Sequence, residues 1–87
     1  MTNDKKASLI ASELHINLNN FLFNIDMNNN TEADYQMRQA SRNLDKLIKI
    51  DTDTVKPFGQ WKGSTFPLDK AGVIKIFSDK INKYRRY

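Results

Sequence analysis

Apolar and polar residues alternate from Ala7 to Met27 with the period of an α-helix, and the segment is apolar on two opposite sides. The broader stripe comprises Ile10, Ala11, Leu14, Leu18, Phe21, Leu22 and Ile25. The second stripe, on the reverse side, comprises Leu9, Ile16, Phe23 and Met27. A helix at the rim of a small domain needs only one apolar face. We therefore expect a central helix, covered by its own chain on one side and by a second copy or a partner on the other.

Polar residues indicate where this first helix ends and the second begins. Residues 2–4 can cap the first helix, and the run Asn28–Asn30 predicts a turn, because asparagine tolerates left-handed conformations. Thr31 is the predicted cap of the second helix. The apolar stripe of that helix comprises Ala33, Met37, Ala40, Leu44, Leu47 and Ile48. Because the connection is short, the second helix should fold back antiparallel onto the broader stripe of the first.

Residues 50–66 break the helical pattern with Pro57, Gly59 and Gly63. We expect a long irregular loop, with a short hairpin between residues 52–55 and 63–66 as the alternative. A third helix follows, either with Pro67 in its first turn or with Asp69 as its cap. Its apolar stripe comprises Val73, Ile74, Phe77, Ile81 and Tyr84. The pattern predicts an all-α fold, a three-helix bundle with a long central N-terminal helix and a Gly/Pro/aromatic loop between helices 2 and 3.

The length of 87 residues fits a single helical domain over residues 1–87. A domain of this size hides only about 60% of its unfolded surface, so association through Leu9, Ile16, Phe23 and Met27 would add needed burial. We therefore expect a homodimer. The absence of cysteine suits a reducing compartment, and no apolar run reaches the roughly 18 residues of a membrane span. These features predict a soluble cytoplasmic protein with no membrane partner.

Residues suited to catalysis or metal binding are sparse. His15 is the single histidine, whereas a zinc site needs three or four donors. Residues 51–53 match only the start of a calcium-binding loop, without its later ligands. No serine has a candidate base, and the chain contains no phosphate-binding glycine motif. We therefore expect no enzymatic activity, no metal, no cofactor and no small-molecule substrate.

The net charge of +4 comes entirely from the C-terminal part of the chain. Residues 67–87 contain six lysines and arginines against two aspartates, while residues 1–66 carry eight charges of each sign. This basic end suits an acidic protein or a nucleic acid. An exposed Trp61 between polar neighbours could anchor such a partner, although the ring could instead cover the end of the bundle. The predicted partner-binding residues are Lys56, Trp61, Lys62, Lys83, Arg85 and Arg86.

A second basic surface is predicted on the outer side of the second helix, where the candidate nucleic-acid contacts are Tyr35, Arg38, Arg42 and Lys49, with Lys46 beside them. The competing interpretation is a solvated face that neutralises itself. Asp34 precedes Arg38 by four residues, and Asp45 precedes Lys49 by four, which is the favourable order for ion pairs on a helix.

These features favour a non-enzymatic cytosolic regulatory protein, an inhibitor or modulator that binds another macromolecule, with a protein as the favoured partner. Frequent Asn, Lys and Ile are typical of A/T-rich coding, which suits a bacterium, a phage or a mobile element. One alternative is a small nucleic-acid-binding protein that uses the basic C-terminal helix. Another is a bacteriocin-immunity-like helical bundle, because some such immunity proteins are small, basic, cytosolic bundles.

Overall fold

The chain folds into three α-helices in a computed structural model that describes residues 2–55 and 69–85. Helix α1 spans Asn3–Asp26, α2 spans Asn30–Lys49 and α3 spans Lys70–Tyr84. Helix α1 packs against both of the others, and most extensively against α2. The predicted all-α three-helix bundle is therefore confirmed, while α3 packs more extensively against α2 than against α1.

The asparagine run forms the turn between α1 and α2. Asn28 adopts a left-handed conformation with φ of 57°, which asparagine tolerates better than most residues. The N–H of Asn28 donates to the Ile25 carbonyl at 3.1 Å, and that of Asn29 donates to the Asn24 carbonyl at 2.8 Å. These two bonds form a Schellman motif, which satisfies carbonyls at the end of the helix and reverses the chain within three residues.

The cap of α2 differs from the prediction. Asn29, rather than Thr31, is the cap residue, and its side-chain oxygen accepts the backbone N–H of Glu32 at 3.3 Å. Because the Schellman motif already places Asn29 outside α1, α2 begins at once at Asn30, and Thr31 lies inside its first turn. The prediction of Thr31 was wrong because the run of asparagines was assigned wholly to the turn.

The core contains the predicted stripes of all three helices. Small alanines on α1 and α2 allow the two backbones to approach closely, and larger side chains fill the space toward α3. The buried apolar residues are Ala7, Ala11, Leu14, Leu18, Phe21, Ala33, Met37, Ala40, Leu47, Val55, Val73, Phe77 and Ile81. Ile10, Leu22, Ile25, Leu44, Ile74 and Tyr84 pack against this core while partly exposed.

Ile48 is an exception to the predicted stripe, since its side chain is 48% exposed. The buried face of α2 is shifted to the opposite edge of the stripe, where Asn43 is only 6% exposed. The shift follows from a hydrogen bond across the helix pair, in which Asn43 Nδ2 donates to Asn17 Oδ1 at 2.7 Å. A polar residue thus occupies a core position that an apolar pattern cannot reveal.

The residues after α2 are tied to the start of α3. Asp69 caps α3, accepting the Gly72 N–H at 3.0 Å, so the second of the two predicted starts is correct. Thr54 pairs with Asp69 in an isolated antiparallel bridge. Lys70 Nζ donates to the carbonyls of Ile48 and Ile50 at 3.1 and 2.9 Å. The loop over residues 56–66, and with it the proposed hairpin partner 63–66, lies outside the described residues.

Candidate interaction surfaces

The surface of α1 that faces away from the core carries four exposed apolar side chains. Leu9, Ile16, Phe23 and Met27 are 55%, 45%, 62% and 64% exposed. Together they form what we call the outer α1 face. Residues 9, 16 and 23 are spaced by seven, so they lie on almost one line along the helix. Neither α2 nor α3 covers this line, and the described part of the chain leaves it open to solvent.

A groove between α1 and α2 extends the outer α1 face sideways. Ile16 and Asn20 line it from α1, and Tyr35 and Gln39 line it from α2. Tyr35 is itself 48% exposed. A tyrosine at the edge of an apolar surface supplies an apolar ring and a polar hydroxyl, which is why tyrosine is enriched at protein interfaces. The candidate association surface therefore involves two helices.

The floor of this groove is an amide network that the sequence analysis missed. Asn17 accepts from Asn43 and donates through Nδ2 to Gln36 Oε1 at 3.1 Å. Gln36 Nε2 donates in turn to Glu32 Oε1 at 3.0 Å. Within residues 2–55 and 69–85, every buried side-chain nitrogen or oxygen atom has a hydrogen-bond partner. The network therefore fixes the two helices against each other without leaving an uncompensated polar atom beneath the groove.

The outer side of α2 carries the predicted basic stripe. Tyr35, Arg38, Arg42, Lys46 and Lys49 are all exposed. Arg38 Nη2 lies 3.2 Å from Asp34 Oδ2, with both side chains about two-thirds exposed. This confirms the first of the two predicted pairs within the helix. An ion pair so exposed contributes little to stability, so it does not remove Arg38 from contact with another charged molecule.

The described basic residues at the C-terminal end are Lys83 and Arg85, both exposed. Arg85 Nη2 donates to Ser41 Oγ at 3.1 Å, which ties the end of α3 to the middle of α2. Lys56, Trp61, Lys62 and Arg86 lie outside the described residues. The structure thus places two members of the predicted partner-binding set at one end of the bundle, but it does not bring the whole set together.

A small cleft lies next to Arg85 at the same end. The rings of Phe21 and Tyr84 stack at its base with centroids 6.0 Å apart and planes 11° from parallel. Met37 and Asp34 complete its wall. The stacked pair seals the core where α1 and α3 end, so the main role of these rings is to close the bundle.

The surroundings of His15 do not resemble a metal site. Its Nε2 lies 3.2 Å from Asn19 Nδ2. Partial burial, and secondarily the positive charge of Lys80, lowers the pKa of His15 below its usual value. Among residues 2–55 and 69–85, no three His, Cys, Asp or Glu side chains lie close enough together to hold a metal ion. None of the described helices has the length and apolar character of a membrane span.

No family model, no curated protein and no solved structure matches this chain. The functional assignment therefore depends on the chemistry of the surfaces described above.

Proposed function

We propose that this protein is a non-enzymatic regulatory protein that acts by binding other proteins, and that the outer α1 face is its association surface. The observation that carries the proposal is the position of this face. Four large apolar side chains lie opposite the core of the longest helix, each at least 45% exposed. Single exposed apolar residues are common, whereas four on one side of a helix indicate an interaction site.

The size of the outer α1 face indicates the strength of the association. From Leu9 to Met27 the helix rises about 27 Å, and a helix with side chains is about 10–12 Å wide. The strip, including the polar side chains between the apolar ones, therefore covers about 300 Å². A standard interface buries about 800 Å² per partner, so Tyr35 and the polar residues along the strip must also contribute. We expect micromolar rather than nanomolar affinity.

A second copy of the chain is the proposed first partner. A homodimer with twofold symmetry uses the same patch on both subunits, so a face that is apolar along its middle is complementary to itself. Dimerisation would also add buried area to a domain whose own core is small. An inhibitor or modulator can use the same face to bind a different protein, because the face is exposed in the free chain and covered in the complex.

Sedimentation equilibrium between roughly 1 and 200 µM, a range in which a micromolar affinity is measurable, tests the proposal. We expect the wild type to be dimeric and Leu9→Glu/Phe23→Glu to be monomeric, with unchanged helical circular dichroism. The matched control is Ile48→Glu, which places the same charge at an apolar position that is 48% exposed on another helix. This control should stay dimeric, and a monomeric wild type would refute the association.

The basic stripe on α2 supports a second candidate function, the binding of nucleic acid. Arg38, Arg42, Lys46 and Lys49 share one exposed side of the helix with the ring of Tyr35. Spaced cations suit the phosphate backbone, and an exposed ring can stack on a base. The stripe borders the groove beside the outer α1 face, because Tyr35 and Lys46 belong to both.

A fluorescence anisotropy titration with a labelled single-stranded oligonucleotide, repeated at several salt concentrations, tests this second candidate. If the stripe binds phosphates, affinity should fall as salt rises, and Arg42→Glu should reduce both the affinity and the salt slope. Lys75→Glu, an exposed lysine on α3, is the control for net charge. Equal losses in the two variants would show that the stripe has no special role.

A further inference from the structure

We propose that the outer α1 face pairs with the same face of a second copy in the antiparallel sense, with the twofold axis beside Ile16. This inference rests on the proposed self-association and specifies its geometry. It follows from two features of α1, the spacing of the apolar residues and the order of the charged residues along the helix.

The apolar residues are placed symmetrically about Ile16. Leu9 precedes it by seven residues, and Phe23 follows it by seven. In an antiparallel pair centred on Ile16, each Leu9 therefore lies opposite the partner's Phe23, and the two Ile16 side chains meet at the axis. The most exposed residue of the line, Met27, lies eleven residues after Ile16, and Lys5 lies eleven residues before it. The aliphatic stem of Lys5 would cover the partner's Met27 at each end of the interface.

The charges agree with this arrangement. Lys5 and Phe23 are eighteen residues apart, which is five full turns, so Lys5 lies on the same line as the apolar residues. Antiparallel pairing places the Lys5 ammonium beside the partner's Asp26, and both residues are exposed. Glu13 comes close to the partner's Asn20, an amide that can donate to its carboxylate. Each contact occurs twice because of the symmetry.

The parallel arrangement brings like charges together. A twofold axis along the helices would place Lys5 beside the partner's Lys6 at the N-terminal end, where the helix dipole is also positive. The two Asp26 side chains would then share the negative C-terminal end. Parallel pairing would also align the two helix dipoles, whereas antiparallel pairing opposes them. Asp4, next to Lys5 in the first turn, offsets part of the repulsion at the N-terminal end. The opposed helix dipoles and the two contacts between Lys5 and the partner's Asp26 therefore favour antiparallel packing.

Disulfide cross-linking tests the orientation, and the natural chain contains no cysteine that could interfere. The axes of packed helices lie about 8–10 Å apart. Cα atoms on the facing sides are closer together than the axes, so they come within the reach of a disulfide. The variants are Leu9→Cys, Phe23→Cys and Ile16→Cys, each first shown by sedimentation under reducing conditions to dimerise. We expect a mixture of Leu9→Cys and Phe23→Cys to form a mixed disulfide efficiently, while Ile16→Cys links to itself.

The results distinguish the orientation of the paired helices from the association itself. Positions 9 and 23 are about 21 Å apart along one helix, so Leu9→Cys can link efficiently to itself only in a parallel dimer. That result would overturn the antiparallel inference and leave the proposed association intact. Dimers that form without cross-linking at position 16 would overturn both the antiparallel orientation and the assignment of the outer α1 face, because another face would be paired. Monomeric protein would overturn both proposals.

Charge reversal provides a second test that leaves the apolar residues unchanged. Lys5→Glu should raise the dimer dissociation constant by about tenfold, because it replaces two attractive contacts per dimer with repulsive ones. Adding Asp26→Lys to the same chain should restore most of the affinity. The control is Lys6→Glu, which should change the dissociation constant by less than about threefold in an antiparallel dimer. Failure of Asp26→Lys to rescue Lys5→Glu, or tighter dimerisation of Lys6→Glu, would contradict the inference.

Discussion

At the scale of single residues, the amide pair Asn17 and Asn43 is the clearest case in which a polar group shapes the fold. A buried amide without a partner is costly, so the two side chains must face each other whenever α1 and α2 pack. Other alignments of two alanine-rich stripes would bury similar apolar area but would separate the amides. The pair therefore selects one alignment, as buried polar residues do in some coiled coils.

The first prediction follows from this pairing. Asn17→Ala leaves Asn43 Nδ2 buried without its acceptor, and the free energy of unfolding should fall by about 1–3 kcal/mol. The matched control is Asn82→Ala, the same substitution at an exposed position of α3, which should change stability by less than about 0.5 kcal/mol. Urea titration followed by circular dichroism measures both values.

Substituting Asn43 as well tests whether the lost stability comes from the hydrogen bond between the two amides. Asn17→Leu/Asn43→Leu removes both amides together, and replacing both members of a buried pair by apolar groups is often nearly neutral. The double variant should therefore lose less stability than the two single substitutions added together. Additive losses would indicate that the amides do not interact in solution.

His15 provides a prediction about pH. Its pKa is lowered in the folded protein by partial burial and, to a lesser extent, by Lys80. Below the unfolded pKa of about 6.5 the unfolded chain takes up a proton more readily than the folded protein does, so stability should decrease as the pH falls from 7 toward 5. His15→Gln should reduce this slope, measured as unfolding free energy at each pH. An identical slope in the variant would assign the effect to the carboxylates.

At the scale of elements, the helix caps are the simplest features to test. Asn29→Ala should cost about 1 kcal/mol, because the Glu32 N–H loses its acceptor. For a domain of this size, that loss lowers the melting temperature by about 4–8 °C. Thr31→Ala, which removes the residue that the sequence suggested as the cap, should change the melting temperature by less than half as much. Thermal unfolding followed by circular dichroism distinguishes the two.

The helices were predictable from sequence because their apolar residues repeat with one dominant period. That period places Leu14, Phe21 and Phe77 in the core without knowledge of the partner helix. Boundaries were less predictable, since three consecutive asparagines satisfy turn, cap and first-turn chemistry equally well. Ile48 was misassigned to the core, and the burial of Asn43 was missed, for a related reason. The position of the contact line within a stripe depends on which side chains meet across the helix pair, and hydrophobicity alone does not specify that.

The candidate surfaces also include some features that the sequence could predict and others that it could not. The outer α1 face could be predicted because a second stripe on a helix has no structural role within a single bundle. The groove with Tyr35 could not, because it depends on how α1 and α2 align. Arg85 was expected to be a solvent-exposed cation, and its hydrogen bond to Ser41 depends on where α3 docks. The neighbours of such residues depend on how two helices pack together, so the pattern of apolar residues along one helix cannot predict them.

At the scale of the whole molecule, association and folding should be coupled. A dimer that forms through the outer α1 face stabilises the folded state by mass action, so the melting temperature should rise with protein concentration. Leu9→Glu/Phe23→Glu should melt at a temperature independent of concentration. Differential scanning calorimetry at several concentrations measures both. A wild type whose melting temperature does not change would argue against a dimer in this range.

The unequal packing of the three helices has a consequence for the motions of the native protein. Helices α1 and α2 are joined by a three-residue turn and share the most extensive contact, whereas α3 makes fewer contacts with either. Proteins open in cooperative units whose free energies follow such differences. In hydrogen–deuterium exchange, amides of α3 such as that of Phe77 should therefore exchange through a partial opening. The amides of Leu14 and Ala40 should exchange only when the whole chain unfolds. The α1–α2 hairpin would then persist as a native-like unit while α3 detaches and returns.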